Sequence, residues 1–244
     1  MRNAIITGAR RGIGRAVTEE FAANKINLWA CSSKYSEDFE KDMAELSAKY
    51  GVWIEPVYFD LSREDEIKSA LKQVISEKKT IDILVNNAGI PSGGLMQMTP
   101  ISTLRNVMEI NYIAQICIIQ IVSKVMMRQK QGVIVNMGSV GGIEAREGYL
   151  SYGSSKAALI WATRCISKEL AKYNIRVNAV APGLVETQMG GYKPKEEQEK
   201  ILNGISMKRF GRPEEIAKSV MFLVSDASSF MTGAVLNVDG GRLM

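Results

Sequence analysis

The sequence predicts an α/β fold, a doubly wound parallel sheet of about seven strands flanked by helices, over residues 1–244 as one domain. Two observations carry this. Short apolar runs alternate with longer stretches whose apolar residues recur three and four positions apart, the pattern of βαβ units. Several runs, ILVN at 83–86 and VIVNM at 133–137 among them, are apolar without alternation, as strands covered on both faces must be.

The elements follow in order. The chain opens MRNAIITG, a strand signal at 4–7 rather than the charged head, long apolar stretch and cleavage site of a secretory signal. A glycine-rich turn opens a helix over 13–24. A strand at 27–31, a helix at 36–50 and a strand at 53–59 come next. The helix at 63–78 shows its period in Ile67, Leu71, Val74 and Ile75. After the strand at 83–86, an irregular stretch (88–100) leads into a long helix at 101–129. That helix is apolar on more than one face, through Val107, Met108, Ile110, Ile113, Ile116, Ile118, Ile119, Ile121 and Val122. One face is expected on the sheet and another on a second subunit, with plain core packing as the alternative. A strand at 133–137, a helix at 152–173 and a strand at 176–181 continue the alternation. A second irregular stretch (184–200), a helix at 213–225 and a strand at 235–238 complete it. Loops beyond the carboxyl ends of such strands form the ligand crevice.

Composition narrows the function. The 244 residues suffice for a large buried core, and 46% hydrophobic with 23% charged residues excludes disordered and collagen-like classes. The absence of histidine removes all imidazole catalysis and ligation. The three cysteines (Cys31, Cys117, Cys165) are far apart, against a zinc site or disulfide framework and in keeping with a reducing cytosol. The net charge of +5 comes from 31 basic residues spread among 26 acidic ones, so no nucleic-acid partner is expected. The most apolar stretch, 112–127, is interrupted by Gln115, Gln120, Ser123 and Lys124 and reads as too short and polar to span a bilayer. A soluble cytoplasmic protein without a metal is the expectation.

The first βα turn reads Thr7-Gly8-Ala9-Arg10-Arg11-Gly12-Ile13-Gly14. Its glycines allow backbone N–H groups to approach a phosphate at a helix N-terminus. Alone, such a turn could be purely structural. At the end of the second strand, where an acid would bind a ribose 2′-hydroxyl, stand Cys31-Ser32-Ser33-Lys34, with no carboxylate until Glu37. Arg10 and Arg11 supply two cations, which with Ser32, Ser33 and Lys34 could hold a 2′-phosphate. Tyr152 and Lys156 are four residues apart, hence on one helix face, where an ammonium lowers a phenol's pKa. Alone, that pair could equally be a surface contact. Ser139, at a strand's carboxyl end, could donate a hydrogen bond to a substrate carbonyl.

In order and spacing, the Gly8/Gly12/Gly14 turn, Asn86-Asn87-Ala88-Gly89, Asn111, Ser139, Tyr152-Gly153-Ser154-Ser155-Lys156, Pro182-Gly183 and Thr187 resemble the short-chain dehydrogenase/reductase family across essentially the whole chain. Within it, RRGIGRAV, DILVNNAGI, VAPGLVET and TGAVLNVDGG are most similar to the 3-oxoacyl-(acyl-carrier-protein) reductases. The resemblance implies a Rossmann-type fold. It implies Tyr152 as general acid, Lys156 as its activator and nicotinamide-ribose ligand, Ser139 as carbonyl orienter and Asn111 as anchor of a water relay. The cofactor implied is NADP(H). Its wall would be made by Gly8, Arg10, Arg11, Gly12, Ile13 and Gly14, then Ser32 and Ser33, then Asn87, Ala88 and Gly89. Pro182, Gly183, Val185 and Thr187 would close it. Asp60-Leu61 resembles the adenine-contacting pair, although Asp60 could instead cap the helix beginning near Ser62 or Arg63.

The stretch 184–209 reads as a substrate lid, hinged at Gly190-Gly191 with a short helix over 196–202. Lys193, Lys195, Lys208 and Arg209, with Lys130, could draw in an acidic acyl carrier protein or be ordinary surface charges. Lys172-Tyr173 stands where carrier-protein reductases would place an arginine. The function implied is NADPH-dependent reduction of a ketone to a secondary alcohol, foremost a 3-oxoacyl thioester in fatty acid biosynthesis. The alternatives are a reductase of another small ketone, sugar or polyol, and a non-catalytic NADP-binding regulator. The family resemblance also implies a homotetramer, with a homodimer as the alternative.

Overall fold

Ile5 and Ile6 are both fully buried, yet successive strand residues point to opposite faces. Their strand therefore lies inside a sheet covered on both sides. The computed structural model describes residues 1–187 and 202–241. In it seven parallel strands form one sheet in the order β3-β2-β1-β4-β5-β6-β7. These are β1 (Asn3–Thr7), β2 (Asn27–Ser32), β3 (Ile54–Tyr58), β4 (Ile83–Asn86), β5 (Gly132–Met137), β6 (Ile175–Pro182) and β7 (Val235–Val238). The predicted strands match to within two residues. β3 is the shorter for being an edge strand, paired with β2 alone.

The helices are α1 (Gly12–Ala23), α2 (Glu37–Tyr50), α3 (Glu64–Ser76), α4 (Ile101–Met108), α5 (Ala114–Gln129), α6 (Leu150–Leu170) and α7 (Pro213–Val224). On one face Val17, Phe21, Phe39, Met43, Ile216 and Val220 of α1, α2 and α7 pack on Ile6 and Leu28. On the other, Ile67 and Leu71 of α3 and Ile118, Val122 and Met126 of α5 pack on Ile5, Trp29 and Leu84. Strand order reverses between β1 and β4, which opens a crevice at their carboxyl ends.

The long helix is not uniform. Between α4 and α5 lies a π-helical segment, Glu109–Ile113, in which the Ala114 N–H donates to the Glu109 carbonyl five residues back. The continuous run Ile101–Gln129 is 29 residues with a mean hydropathy of 1.5 in its most apolar window, long and apolar enough to cross a membrane by length and composition. Ile118, Val122 and Met126 of that run are spent on the core. Of the expected lid, Gly190-Gly191, Lys193, Lys195 and residues 196–201 lie outside the described residues.

Candidate active site

The glycine-rich turn leaves β1 with Gly8 at φ +69° and Gly12 at φ +56°, a left-handed backbone that other residues adopt at a cost. At Gly14 a Cβ would stand 2.1 Å from the Gly8 carbonyl oxygen, so only glycine closes this turn onto α1. Arg11 precedes α1 in an extended conformation, and α1 has neither a side-chain cap nor an acid in its first turn. Its leading N–H groups and positive dipole end are thus directed at the crevice. Ile13 half-buries against the core, while Arg10 stays exposed.

The Asn87-Ala88-Gly89 loop is sewn onto this turn. Thr7 Oγ1 accepts from the Asn87 and Ala88 N–H groups, each at 3.0 Å, and Asn87 Nδ2 donates to the Thr7 carbonyl at 3.0 Å. Asn86 lies beneath, donating to Asn136 Oδ1 at 3.0 Å, and Asn136 in turn donates to Thr163 Oγ1 at 2.9 Å. That chain ties β4 to β5 and α6. From the far side, the Gly183 N–H bonds the Val238 carbonyl, Val185 bridges to Gly211, and the Thr187 methyl lies 3.2 Å from where a Gly12 Cβ would be. Buried Pro182 ends β6 and aims this segment across the glycine turn.

At the end of β2, Ser32 is buried with its Oγ donating to the Lys34 carbonyl at 3.3 Å, and Ser33 and Lys34 are exposed. Arg10 is near enough to Tyr58 to favour its phenolate against burial and Glu40, so it overhangs the ends of β2 and β3. Leu61 is buried beside them. Asp60 does not cap α3. Its Oδ1 accepts from the Ser62 N–H and hydroxyl, both at 2.8 Å, which holds its carboxyl below the usual range, while the cap position belongs to Arg63. The left-handed glycine turn and the uncapped N-terminal end of α1 fit the pyrophosphate of a nicotinamide dinucleotide.

Ser139, Tyr152 and Lys156 lie together at the carboxyl end of β5 and the start of α6. Ser139 ends the β5 segment and caps a 3₁₀ turn, Val140–Gly142, its Oγ accepting from the Gly141 N–H at 3.1 Å. It is also close enough to Tyr152 to favour the phenolate form. Lys156 is 4% exposed and its Nζ donates to the Met137 carbonyl at 2.8 Å, 5.8 Å from the centre of the Tyr152 ring. Burial lowers its pKa to about 8. Burial pushes the Tyr152 phenol above its ordinary value, and Ser139 offsets part of that rise.

Asn111 is fully buried in the π segment, where it accepts from the Ile90 N–H at 2.8 Å and donates to the Ile90 carbonyl at 3.0 Å and to Ser155 Oγ at 3.1 Å. Its side chain braces the loop that carries Ile90. Gly89 passes between: a Cβ there would be 2.9 Å from Asn111 Oδ1 and 3.4 Å from Lys156 Nζ.

Sequence reasoning missed Thr7, Tyr149 and Gln115. Tyr149 packs edge-on to Tyr152 with ring centres 6.2 Å apart, and its position one helical turn earlier was the available signal. Gln115 read as a polar break in an apolar stretch, yet it is 1% exposed. Arg209, a candidate for an acidic partner, is committed to both oxygens of Glu215 at 2.8 and 2.7 Å.

The comparisons agree with this geometry. A family profile described as enoyl-(acyl carrier protein) reductase matches residues 8–242. The chain is 38% identical to the 3-oxoacyl-(acyl-carrier-protein) reductase of Thermotoga maritima over 98% of this chain and 97% of that one. It is 36% identical to that of Aquifex aeolicus over 97% and 95%. Among solved structures, levodione reductase superposes with a TM-score of 0.93 at 29% identity, covering 98% of this chain and 96% of that one. A 7α-hydroxysteroid dehydrogenase complexed with NADH and 7-oxo glycochenodeoxycholic acid gives 0.92 at 31% identity, covering 99% and 94%. With its Ser139, Tyr152 and Lys156 gathered beside a glycine-lined crevice, this chain belongs to the short-chain dehydrogenase/reductase family and is an oxidoreductase acting on CH–OH groups.

Proposed function

We propose that the protein reduces a 3-oxoacyl thioester, carried on acyl carrier protein, to the 3-hydroxyacyl thioester with NADPH, as a step of fatty acid biosynthesis. The observation that carries the reductive reading is the Ser139–Tyr152–Lys156 cluster with its phenol held protonated by burial. A bound nicotinamide dinucleotide would supply the hydride. Ser139 then orients the ketone oxygen, and Tyr152 gives its hydroxyl proton to that oxygen as charge develops there. Lys156 holds a ribose hydroxyl in place of the Met137 carbonyl and steadies the phenolate left behind. Glycines 8, 12 and 14 admit the pyrophosphate to the end of α1.

NADPH rather than NADH is supported by Arg10, Arg11 and Lys34 around the end of β2, with Ser32 and Ser33 in place of an acid there. The thioester substrate is supported by the names of the Thermotoga and Aquifex relatives. Exposed Lys130, at the left-handed end of α5, and exposed Lys208 remain candidates for the acidic carrier. A second reading, reduction of a compact cyclic ketone, draws on the levodione and steroid enzymes and on exposed Leu95, Met96 and Met98 in the loop after Gly89. The assembly is a homotetramer and its compartment the cytoplasm, where the three free cysteines would stay reduced.

The deciding experiment follows NADPH oxidation with an acetoacetyl thioester for the wild type and Tyr152→Phe. Turnover lost in the variant, with NADPH still bound, is the expected result. Turnover only with cyclic ketones overturns the thioester assignment, and a lower KM for NADH than for NADPH overturns the cofactor assignment.

A further inference from the structure

We infer that Gln115 is a positioning residue that fixes the cofactor-facing loop 88–90 to the π segment of the long helix. This rests on reading the crevice as a nicotinamide-dinucleotide site. Gln115 is buried at 1% exposure, and both hydrogens of its amide are used. One goes to the Ala88 carbonyl and one to the Ile110 carbonyl, each at 3.0 Å.

The π segment explains the second bond. The Ala114 N–H reaches Glu109, five residues back, instead of Ile110, four back. The Ile110 carbonyl thereby loses its α-helical donor from Ala114, and the Gln115 amide provides one. The first bond reaches across to the wall of the crevice. Asn111 brackets Ile90 from the same segment, so loop 88–90 is held from this side by one bond at Ala88 and two at Ile90. From the sheet side Thr7 Oγ1 accepts the Ala88 N–H. Gly89, in the middle, passes beside Lys156, where a Cβ would stand 3.4 Å from the ammonium. The loop that faces the cofactor and the lysine that would hold its ribose thus share one registration, set from the π segment.

The other end of the side chain sharpens the point. Gln115 Oε1 is buried and makes no hydrogen bond among the described residues. An unsatisfied buried carbonyl is destabilising, and an apolar side chain of the same length would avoid it. What the glutamine contributes is its pair of donors.

The test uses Gln115→Met, which keeps length and loses both donors, with Ser228→Ala as a control that removes buried hydrogen bonds to the end of α7, away from the loop. NADPH dissociation constants are measured by fluorescence without any ketone, beside thermal unfolding and amide exchange at Gly89 and Ile90. For Gln115→Met the expected result is NADPH binding weakened about tenfold, with faster exchange at both amides. Its KM for the ketone at saturating NADPH stays near the wild-type value. Ser228→Ala lowers the melting temperature and leaves NADPH binding unchanged. Should Gln115→Met not fold, Gln115→Glu, which keeps one donor while its carboxyl is protonated, binds NADPH more weakly than wild type. A melting temperature that falls with NADPH affinity and loop exchange unchanged makes Gln115 merely structural and overturns the proposal. Wild-type protein that binds neither NADPH nor NADH is a failure of the cofactor reading instead, and the amide exchange still decides whether Gln115 holds the loop.

Discussion

A lysine with 4% exposure is held in this site against its own solvation. Burial lowers its pKa to about 8, so at neutral pH the folded chain carries a charge it would rather hold in water. Between pH 8 and the ordinary lysine value the unfolded chain binds more protons than the folded one, so the penalty fades as pH rises through that window. Lys156→Met is therefore expected to abolish ketone reduction while raising the melting temperature near pH 7, with the gain shrinking towards pH 10, as pH-resolved calorimetry would read. A melting temperature that drops at pH 7 would mean the Met137 bond outweighs the buried charge. Tyr152 shows the opposite sign, since burial raises a phenol and Ser139 is the group that lowers it. Ser139→Ala should reduce kcat by roughly 100-fold through the lost carbonyl donor. Its residual activity should persist to higher pH than that of the wild type, because the phenol stays protonated longer. An alkaline limb that moves down instead would deny Ser139 this influence. Tyr152 and Lys156 were legible because helical spacing puts them on one face and the rest of the family's motifs stand in register around them. The Met137 carbonyl that engages Lys156 was not, since a backbone acceptor has no signature in a side-chain pattern.

Elements were more legible than their junctions. The continuous apolar runs ILVN and VIVNM located β4 and β5 because burial on both faces leaves no polar position to blur the signal. The π segment escaped, because Glu109–Ile113 differs from α-helix only in which carbonyl each N–H selects, and an apolar stripe reads alike in both. The partners of the Asn111 side chain, Ile90 and Ser155, were hidden for a related reason: they come from other elements. The junction between β5 and α6 shows how closely such contacts govern the site. A Cβ on Gly142 would lie 2.7 Å from the Ala157 nitrogen and from the Lys156 carbonyl carbon, so glycine lets the turn after Ser139 rest against the helix bearing Tyr152 and Lys156. Gly142→Ala is expected to force them apart, costing about 1–3 kcal/mol of stability by overpacking. It should lower kcat more than it raises the KM for NADPH, since the glycine turn at α1 is untouched. Denaturant unfolding and steady-state kinetics would show it. An unchanged kcat would mean the turn and helix separate without disturbing Ser139.

At the scale of the molecule, α6 has two occupied sides. One carries Tyr152 and Lys156 into the crevice, and the other presents Trp161 to solvent at 66% exposure. Ile101 of α4 and Ile113 of the π segment are also exposed, at 62% and 47%. A second apolar site is marked by Phe222 of α7 and the fully exposed Phe230. Soluble monomers seldom leave such large side chains uncovered, and two separate patches on one chain are what the proposed homotetramer with twofold axes would need. The apolar excess of the long helix suggested this from the sequence. The Phe222 and Phe230 site was not visible there, because isolated phenylalanines carry no period. Changing Trp161→Lys, at a position where the single chain loses little packing, should split the tetramer into dimers joined through the remaining patch. Phe230→Lys should do the same through the other. Sedimentation of the two variants and of the double variant, which should be monomeric, separates the patches. Because α6 serves both the interface and the chemistry, Trp161→Lys should also lose activity per protomer while Phe230→Lys retains more of it. Wild-type protein that sediments as a monomer at working concentrations would sink the assembly, and equal activity loss in both variants would sink its link to α6.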